Sequence, residues 1–469
     1  MKKGAVIMRK LKKLVMVLLF ILPALMGITG YIIAGKNFFA AAYMATRMYI
    51  FDADTFDNNF LVEIARWIAP VLTVSGLVII LKKLVVKVKE FFAGFFSDAV
   101  AIYGDDELQE IAKKNIKHSI RVDDNEVMDV TSHIIMFSKD EQGLRFYTKN
   151  KDKLKGEVFI KLDKNDSFSV GLDNVKFFNP CEIVARNFWQ INDIRQIIKK
   201  DEMKIAIVGS DILSRKILTY GLLNNIYTLT QKIEYEIWSD NDFFKNSHND
   251  FQTANNDRVV YCDNKNPEKI FRIAKADRII ITDVIDNEIL SELTKLTKGE
   301  IYCYDPSGTF VNIFDYEKIY AFGQLEKVLT AENIRTDNLY KFAKELNYSY
   351  ALKYLKEGEK APTLEEAWNS LDEFTKGSNV ASTDYHKIML IVMRETKKEK
   401  ADYTLGELEH IRWCRYHYLN HWRFGETQNG KKDAKNKIHP CLKPFCELSE
   451  TDKNKDIEGI ETLLSFEGI

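Results

Sequence analysis

Residues 203–225 read MKIAIVGSDILSRKILTYGLLNN, and this stretch decides the fold of most of the chain. An apolar run of Ile, Ala and Val ends at Gly209, and apolar residues at helical spacing follow. That is a strand, a tight turn and a helix, the opening of a parallel α/β unit. Downstream, IEYEIWSD closes at Asp240, and RVVYCD, DRIIITD, EIYCYD and KIYAF follow with helical segments between them. Upstream, DAVAIYGDD ends its apolar run at Gly104 and ELQEIAKKNI reads as a helix. HSIRVDD, SHIIMFS, EVFIKLD and VKFFNP then read as strands. Buried β-branched runs alternating with helices predict doubly wound parallel sheets, with one α/β unit used twice.

Sheets of this class bind ligands beyond the carboxyl ends of their strands, and several strands here end in Asp. The dinucleotide fingerprint G-x-G-x-x-G lets backbone approach a pyrophosphate at a helix N-terminus. The two corresponding loops, YGDDEL and VGSDIL, hold one glycine each. Asp105 and Asp106 in the first and Asp211 in the second would repel a phosphate, whereas Asp240 can accept from a ribose hydroxyl. Candidate ligand positions at these edges are Gly104, Asp105, Gly209, Ser210, Asp211 and Asp240. A degenerate, scaffold-type sheet is the expectation, and an NAD(P)-linked enzyme is the alternative that the missing glycines disfavour.

The chain has 469 residues, enough for about three domains of ~150 residues. Its 67 basic and 68 acidic residues give a net charge of −1, which offers no basic face to a nucleic acid polymer. The charge asymmetry is local. Lys2, Lys3, Arg9, Lys10, Lys12 and Lys13 precede the apolar stretch Leu14–Ala34. Lys82, Lys83, Lys87 and Lys89 follow a second stretch, Phe60–Leu81. Basic residues beside spans stay cytoplasmic, so two transmembrane helices in a cell inner membrane are expected, with both termini inside. Leu14–Ala34 is uncharged and about 31 Å long as a helix, which matches a bilayer core. A cleaved signal peptide is the alternative reading of that stretch. Phe60–Leu81 spans only by carrying Glu63 and Arg66, which at i, i+3 share a helix face and can pair. Six scattered cysteines without a CxxC read as free thiols, and no metal site is expected.

Between the two stretches, Phe38–Phe51 is a third apolar run with a lone Arg47. It is too short to span and suits a re-entrant pore helix or an interfacial one. Arg47, Phe51, Asp52 and Asp54 are the pore candidates, and a ring of Asp52 or Asp54 from several subunits would favour cations. Two spans, a short apolar run, then tandem α/β units with GDDELQEIAKKN and PCEIVARNFW resemble a known architecture. It is a two-transmembrane potassium-channel-type unit followed by RCK (TrkA-N) gating domains. The resemblance covers residues 14–340 and implies a homotetramer around a central pore. It departs at the filter, because MYIFDADTF has no glycine and potassium selectivity needs the carbonyls of T-V-G-Y-G.

From Thr363 the α/β pattern stops. TLEEAWNSLDEFTKGSNVASTDYHKIMLIVMRE reads as two helices, and TLGELEHIRWCRYHYLNHWRFGE as one long helix capped at Gly425. The elements E-H-x-x-W, HWRFGE and HPCLKPF-x-x-L, followed by a spaced Asp and Leu, resemble the ryanodine-receptor (RyR) repeat domain. Glu409, His410, Trp413, Trp422, Arg423 and His439 gather aromatic, cationic and carboxylate groups there. Asn379, Asp384 and His386 can add hydrogen bonds. Trp faces stack a base, and Arg holds a phosphate bidentately. The resemblance implies an adenine-nucleotide-responsive regulatory module. The plainer alternative makes Trp413 and Trp422 core residues and Glu409 and His439 helix-fixing partners. No nucleophile or metal set accompanies the histidines, so no catalytic residue is assigned.

The expected architecture is a membrane α-helical unit over 1–96, with two transmembrane helices plus a re-entrant or interfacial helix. Two α/β Rossmann-like domains over 97–200 and 201–345 follow, then a small, mostly α domain over 364–469. The expected function is an oligomeric channel in the lipid bilayer, gated to ions by a small nucleotide-type ligand. That ligand is an adenine nucleotide or a nucleotide second messenger. By analogy, such a protein suits an antiphage membrane effector. A membrane-anchored receptor that does not conduct is the rival expectation.

Overall fold

The computed structural model describes residues 18, 20–52, 59–93, 96–123, 126–163, 174–195, 202–283, 287–309, 318–335, 337–427 and 430–466. The chain divides into two compact units, Met1–Ser97 and Asp98–Ile469.

In the first unit, α1 (Phe20–Ile33), α2 (Phe38–Arg47) and α3 (Phe60–Ala93) pack around Tyr31, Ala41, Met48, Val62, Ala65 and Ala69. Asn37 caps α2 by accepting from the Ala40 N–H at 2.9 Å. Small residues set the helix spacing: a Cβ on Gly30 would lie 2.6 Å from Val62 Cγ2. Glu63 and Arg66 pair at 3.1 Å, as their spacing predicts. Within α3, Phe60–Val78 is the one helix among the described residues long and apolar enough to cross a membrane. Only 22% of that segment is buried within the chain, so its apolar side chains, Trp67, Val71 and Leu77 among them, face outward. The 34-residue α3 rises about 51 Å, well beyond a ~30 Å hydrocarbon core. The first apolar stretch is described only in part. Its helix α1 reaches about 21 Å, and residues 14–17 and 19 lie outside the described residues.

The second unit opens with a five-stranded sheet of β1 (Val100–Gly104), β2 (Ser119–Arg121), β3 (Ser132–Met136), β4 (Glu157–Lys161) and β5 (Val175–Phe178). Its order is β2-β1-β3-β4-β5. A six-stranded sheet follows: β6 (Glu202–Val208), β7 (Lys232–Trp238), β8 (Arg258–Cys262), β9 (Arg278–Ile281), β10 (Glu300–Tyr304) and β11 (Ile319–Phe322). Its order is β11-β10-β9-β6-β7-β8. Every pairing in both sheets is parallel. The first order is flavodoxin-like, and the second, read from β8, is the doubly wound 3-2-1-4-5-6. The strands fall on the apolar runs of the sequence because strands buried on both faces have no polar alternation to disguise them.

Helix α4 (Pro180–Ile191) leads out of β5 and packs on α5 (Ile212–Asn224), which follows β6. After β11 come α6 (Asp337–Lys353), α7 (Glu373–Thr396), α8 (Tyr403–Leu419) and α9 (Glu450–Leu464), which pack as a bundle. This bundle is built onto one face of the second sheet. Tyr385, Ile388, Met389, Leu408 and Ile411 share one core with Ile205, Ile207, Tyr235 and Ile237. Two buried arginines fasten it. Arg186 on α4 grips Asp384 on α7, with Nε–Oδ2 at 2.6 Å and Nη2–Oδ1 at 2.9 Å. Arg415 on α8 donates to Thr253 O, Leu222 O and Asn255 Oδ1 at 2.7 Å each and to Asp257 Oδ2 at 2.6 Å. Leu222 lies in the last turn of α5, whose carbonyls lack helical partners, so the guanidinium also caps that helix.

Removing one partner leaves the other charge buried and uncompensated. Arg415→Ala and Asp257→Ala are each expected to lower the unfolding free energy by about 3–5 kcal/mol. Glu292→Ala breaks only the exposed pair with Lys295 and is expected to cost under ~1 kcal/mol. Urea denaturation of the three variants checks this, and equal midpoints would show that Arg415 is not a fastening.

Candidate ligand-binding site

Asp402 caps α8 by accepting from the Leu405 N–H at 3.0 Å. The helix ends at Leu419, not at Gly425 as the sequence suggests. His421 takes the left-handed conformation at φ 64°, and its N–H bonds Tyr418 O at 3.0 Å while the Trp422 N–H bonds His417 O at 2.9 Å. This is a Schellman closure with histidine where glycine is usual. His248 braces the turn, with its Nε2 2.9 Å from Leu419 O and its ring stacked on His421 at 4.6 Å. Gly425 is needed for a different reason, since a Cβ there would lie 2.7 Å from Ile438 Cγ2. The closure folds Trp422 back against α8. Arg423–Phe424 then pairs in parallel with Ile438–His439 and carries His439 to the same place.

The result is a cluster of rings. Trp413 lies 3.9 Å from His417 and 4.8 Å from His439, centroid to centroid. Trp422 lies 5.1 Å from Phe374, 5.5 Å from His417 and 6.2 Å from His439. His410 stacks on Trp413 at 5.5 Å. Trp422 and His417 are buried, whereas Trp413, His439 and Phe374 are half-buried.

The histidines of the cluster differ in charge. His410 Nδ1 faces Asp456 at 3.2 Å, and its Nε2 faces Lys443 O at 2.9 Å and Cys414 Sγ at 3.4 Å. Asp456 and Lys443 O are acceptors at opposite ring nitrogens, the arrangement of an imidazolium. Burial opposes the charge, but the bonds to Asp456 and Cys414 prevail and push the pKa up to about 10. His417 moves the other way, lowered by burial to about 3. Burial also lowers His439 to about 4, with Lys432 adding to the effect. His417 Nδ1 donates to Trp413 O at 2.9 Å, which leaves its Nε2 a bare acceptor. His439 Nδ1 accepts from the Cys441 N–H at 3.1 Å, which puts the proton on Nε2. Neither Nε2 has a hydrogen-bond partner among the described residues. The neutral pair thus offers one acceptor and one donor.

The other positions singled out in this module have varied surroundings. Glu409 accepts from Arg412 at 2.7 and 2.9 Å and from Ser382 at 3.1 Å, and burial raises its pKa against the pull of Arg412. Asp384 is held by Arg186 and by Gln190 at 2.9 Å. His386 is buried with neither ring nitrogen partnered among the described residues, and burial lowers its pKa to about 4. Asn379 is half-buried on α7, and Arg423 is exposed beside Trp422. The structure therefore gathers His410, Trp413, Trp422 and His439, with Arg423 adjoining, while Asp384, His386 and Glu409 sit in the packing of the helices. Phe374 and His417 complete the cluster without belonging to any motif. The i, i+4 spacing of Trp413 and His417 is the signal that could have found the latter.

Among the described residues, several backbone donors at the carboxyl edges of the sheets already meet side chains. Gly209 must be glycine, because a Cβ there would lie 2.0 Å from Thr282 Oγ1. The Ser210 N–H donates to Asp283 at 2.9 Å and the Ser214 N–H to Asp211 at 2.8 Å, so donors that a phosphate would use already meet carboxylates. The Asp240 N–H donates to Ser210 Oγ at 2.9 Å. Burial raises the Asp283 pKa, and Asp211 and Asp240 add to the rise. In the first sheet, Gly104 has φ 134° and a Cβ there would clash with Met136 O, and Asp105 accepts from the Ser138 N–H. In the first unit, Arg47 grips Asp52 with two bonds of 2.8 and 2.7 Å. Phe51 is left-handed at φ 62° and exposed, and Asp54 lies outside the described residues.

A family model described as the RyR domain matches residues 381–466, which hold most of α7, all of α8 and α9, and every cluster ring except Phe374. The carboxyl-terminal module is a RyR domain. No curated protein matches the chain.

The His410 pKa lies above its ordinary value of about 6.5, so its contribution to stability is complete below about pH 6.5. That contribution is lost as pH rises through about 10. Melting curves from pH 6 to 10 are expected to show a decline that His410→Gln lacks. Parallel profiles for the two proteins would refute the charged pairing.

Proposed function

We propose that this protein is a membrane-attached, ligand-gated effector whose RyR domain takes a nucleotide-type ligand at the ring cluster. The unengaged acceptor of His417 and donor of His439 carry the reading. An adenine edge offers a donor beside an acceptor, the complement of that pair. Trp413 supplies a face for stacking, and Arg423 supplies a cation for phosphate. The backbone donors after β1 and β6 that already meet carboxylates favour the RyR domain over a dinucleotide site and weigh against an NAD(P)-linked enzyme.

On this reading the parallel sheets act as RCK-type gating layers in a homotetramer, and the ligand shifts their packing by its unequal affinity for two states. Helix α3 runs unbroken from the apolar segment to Ala93, so a displacement at its carboxyl end travels the whole rod. Conduction of ions through a pore and the antiphage role rest on the resemblance. A second reading, a membrane-attached receptor that does not conduct, is favoured by one observation. Arg47 neutralises Asp52, the acid that would line a cation-selective ring.

Thermal-shift titrations with ATP, AMP, NAD and cyclic dinucleotides test the ligand site. Trp413→Ala and Arg423→Ala are each expected to weaken the responding nucleotide about tenfold or more, in keeping with ~1–3 kcal/mol per stacked base. Unchanged shifts in both variants would remove the site from the RyR domain. Current recordings in planar bilayers, with and without that nucleotide, separate the two readings. Silence under every ligand, in wild type and in Arg47→Gln, would favour the receptor.

A further inference from the structure

The face of the second sheet turned away from the RyR domain carries charges in cross-strand rows. Lys204, Glu234 and Arg258 form one row across β6, β7 and β8, and Glu236 lies in the next. Lys204 Nζ is 2.8 Å from Glu234 and 2.9 Å from Glu236, and Arg258 also pairs with Glu234. In a parallel sheet such a face is normally covered by the helix that crosses over it. The crossover helix from β8 to β9, Lys269–Ile273, has only five residues and is about 7.5 Å long. The strands β6 and β7 have seven residues each and run about 23 Å. The helix therefore covers the apolar rows around Ala206, Trp238 and Cys262 and leaves Lys204 and Arg258 of the charged row within reach of solvent. What remains is a groove of about 450 Å³, the size of a small-molecule site.

Its cations are held ready. The Arg272 guanidinium lies 5.1 Å over the Trp238 ring and 3.8 Å from Glu236, too far for a bidentate pair. Glu236 is almost fully buried and is satisfied by Lys204 and by Trp238 Nε1 at 3.2 Å. Arg258 stands at the mouth with 72% of its side chain exposed, and Lys275 is exposed beside it on the lining. With Glu268 included, four cations face three carboxylates, and the two carboxylates on the sheet floor are already paired. The lining as a whole carries one more positive than negative charge, although Arg258 is shared with Glu234.

We propose that this groove is a second small-molecule site, which takes a phosphate-bearing ligand between Arg258, Arg272 and Lys275. Guanidinium groups suit the paired oxygens of a phosphate, and the ion pairs beneath hold them in place without matching the full cation count. The site lies on the opposite face of the sheet from the helices of the RyR domain and does not depend on a ligand at the ring cluster.

Calorimetric titration of pyrophosphate into the full-length protein, at constant ionic strength, tests the proposal. Wild type and Trp413→Ala are expected to bind alike. Arg258→Ala and Lys275→Ala change exposed side chains and should fold, and each is expected to bind about tenfold more weakly. Arg272→Gln should do the same, with far-ultraviolet circular dichroism as the check on folding. No heat from wild type, or undiminished binding in Arg258→Ala and Lys275→Ala, would overturn the site. An equal response to sulfate would also overturn it, as mere charge screening. Loss of pyrophosphate binding in Trp413→Ala alone would move the anion to the ring cluster and end this proposal.

Discussion

The seat of α8 on the second sheet depends on one guanidinium. Arg415 is fully buried and reaches from α8 into the second sheet, where Asp257 receives it. Asp257 also accepts from the Ile233 N–H and from Gln231, so the same carboxylate ties the start of β7 to the approach to β8. A buried ion pair is a poor source of net stability compared with apolar packing. Its value is positional, because each charge is tolerable only while the other is in place. The α8 helix therefore cannot slide along the sheet without exposing a charge to an apolar interior.

That constraint gives the ring cluster a mechanical consequence. Successive residues on a helix are turned by about 100°, so Trp413 and His417 share one side of α8 while Arg415 projects from the other. The Trp413 side of α8 thus lies on a rod whose far side is fastened to the sheet. Arg186 and Asp384 make a second fastening, between α7 and α4. The first and second sheets are joined through α4, which leaves β5 and packs on α5, so packed elements connect the RyR domain to both sheets.

The parallel sheets were legible because their strands are near-continuous apolar runs ending in Gly or Asp, as in EIYCYD and MKIAIVGS. The pairing of Glu63 with Arg66 was legible for the same local reason, a spacing of one helical turn. The end of α8 was not. Its apolar periodicity continues through Trp422, and the turn at His421 is closed by a histidine whose bracing partner, His248, is far away in the chain. The ring cluster was legible in its composition but not in its membership. Phe374 and His417 carry no motif, while Asp384 has the look of a ligand and is spent on Arg186.

By itself the sequence determined the two parallel sheets, because the apolar runs of strands are properties of neighbouring residues, and its motifs carried the resemblance to the RyR domain. Tertiary structure decided which charges are free. Arg186, Arg412 and Arg415 look alike in the sequence as surface cations, yet all three are buried against carboxylates. It also decided which histidines carry a proton, since that depends on the acceptors and the burial that distant segments bring to each ring.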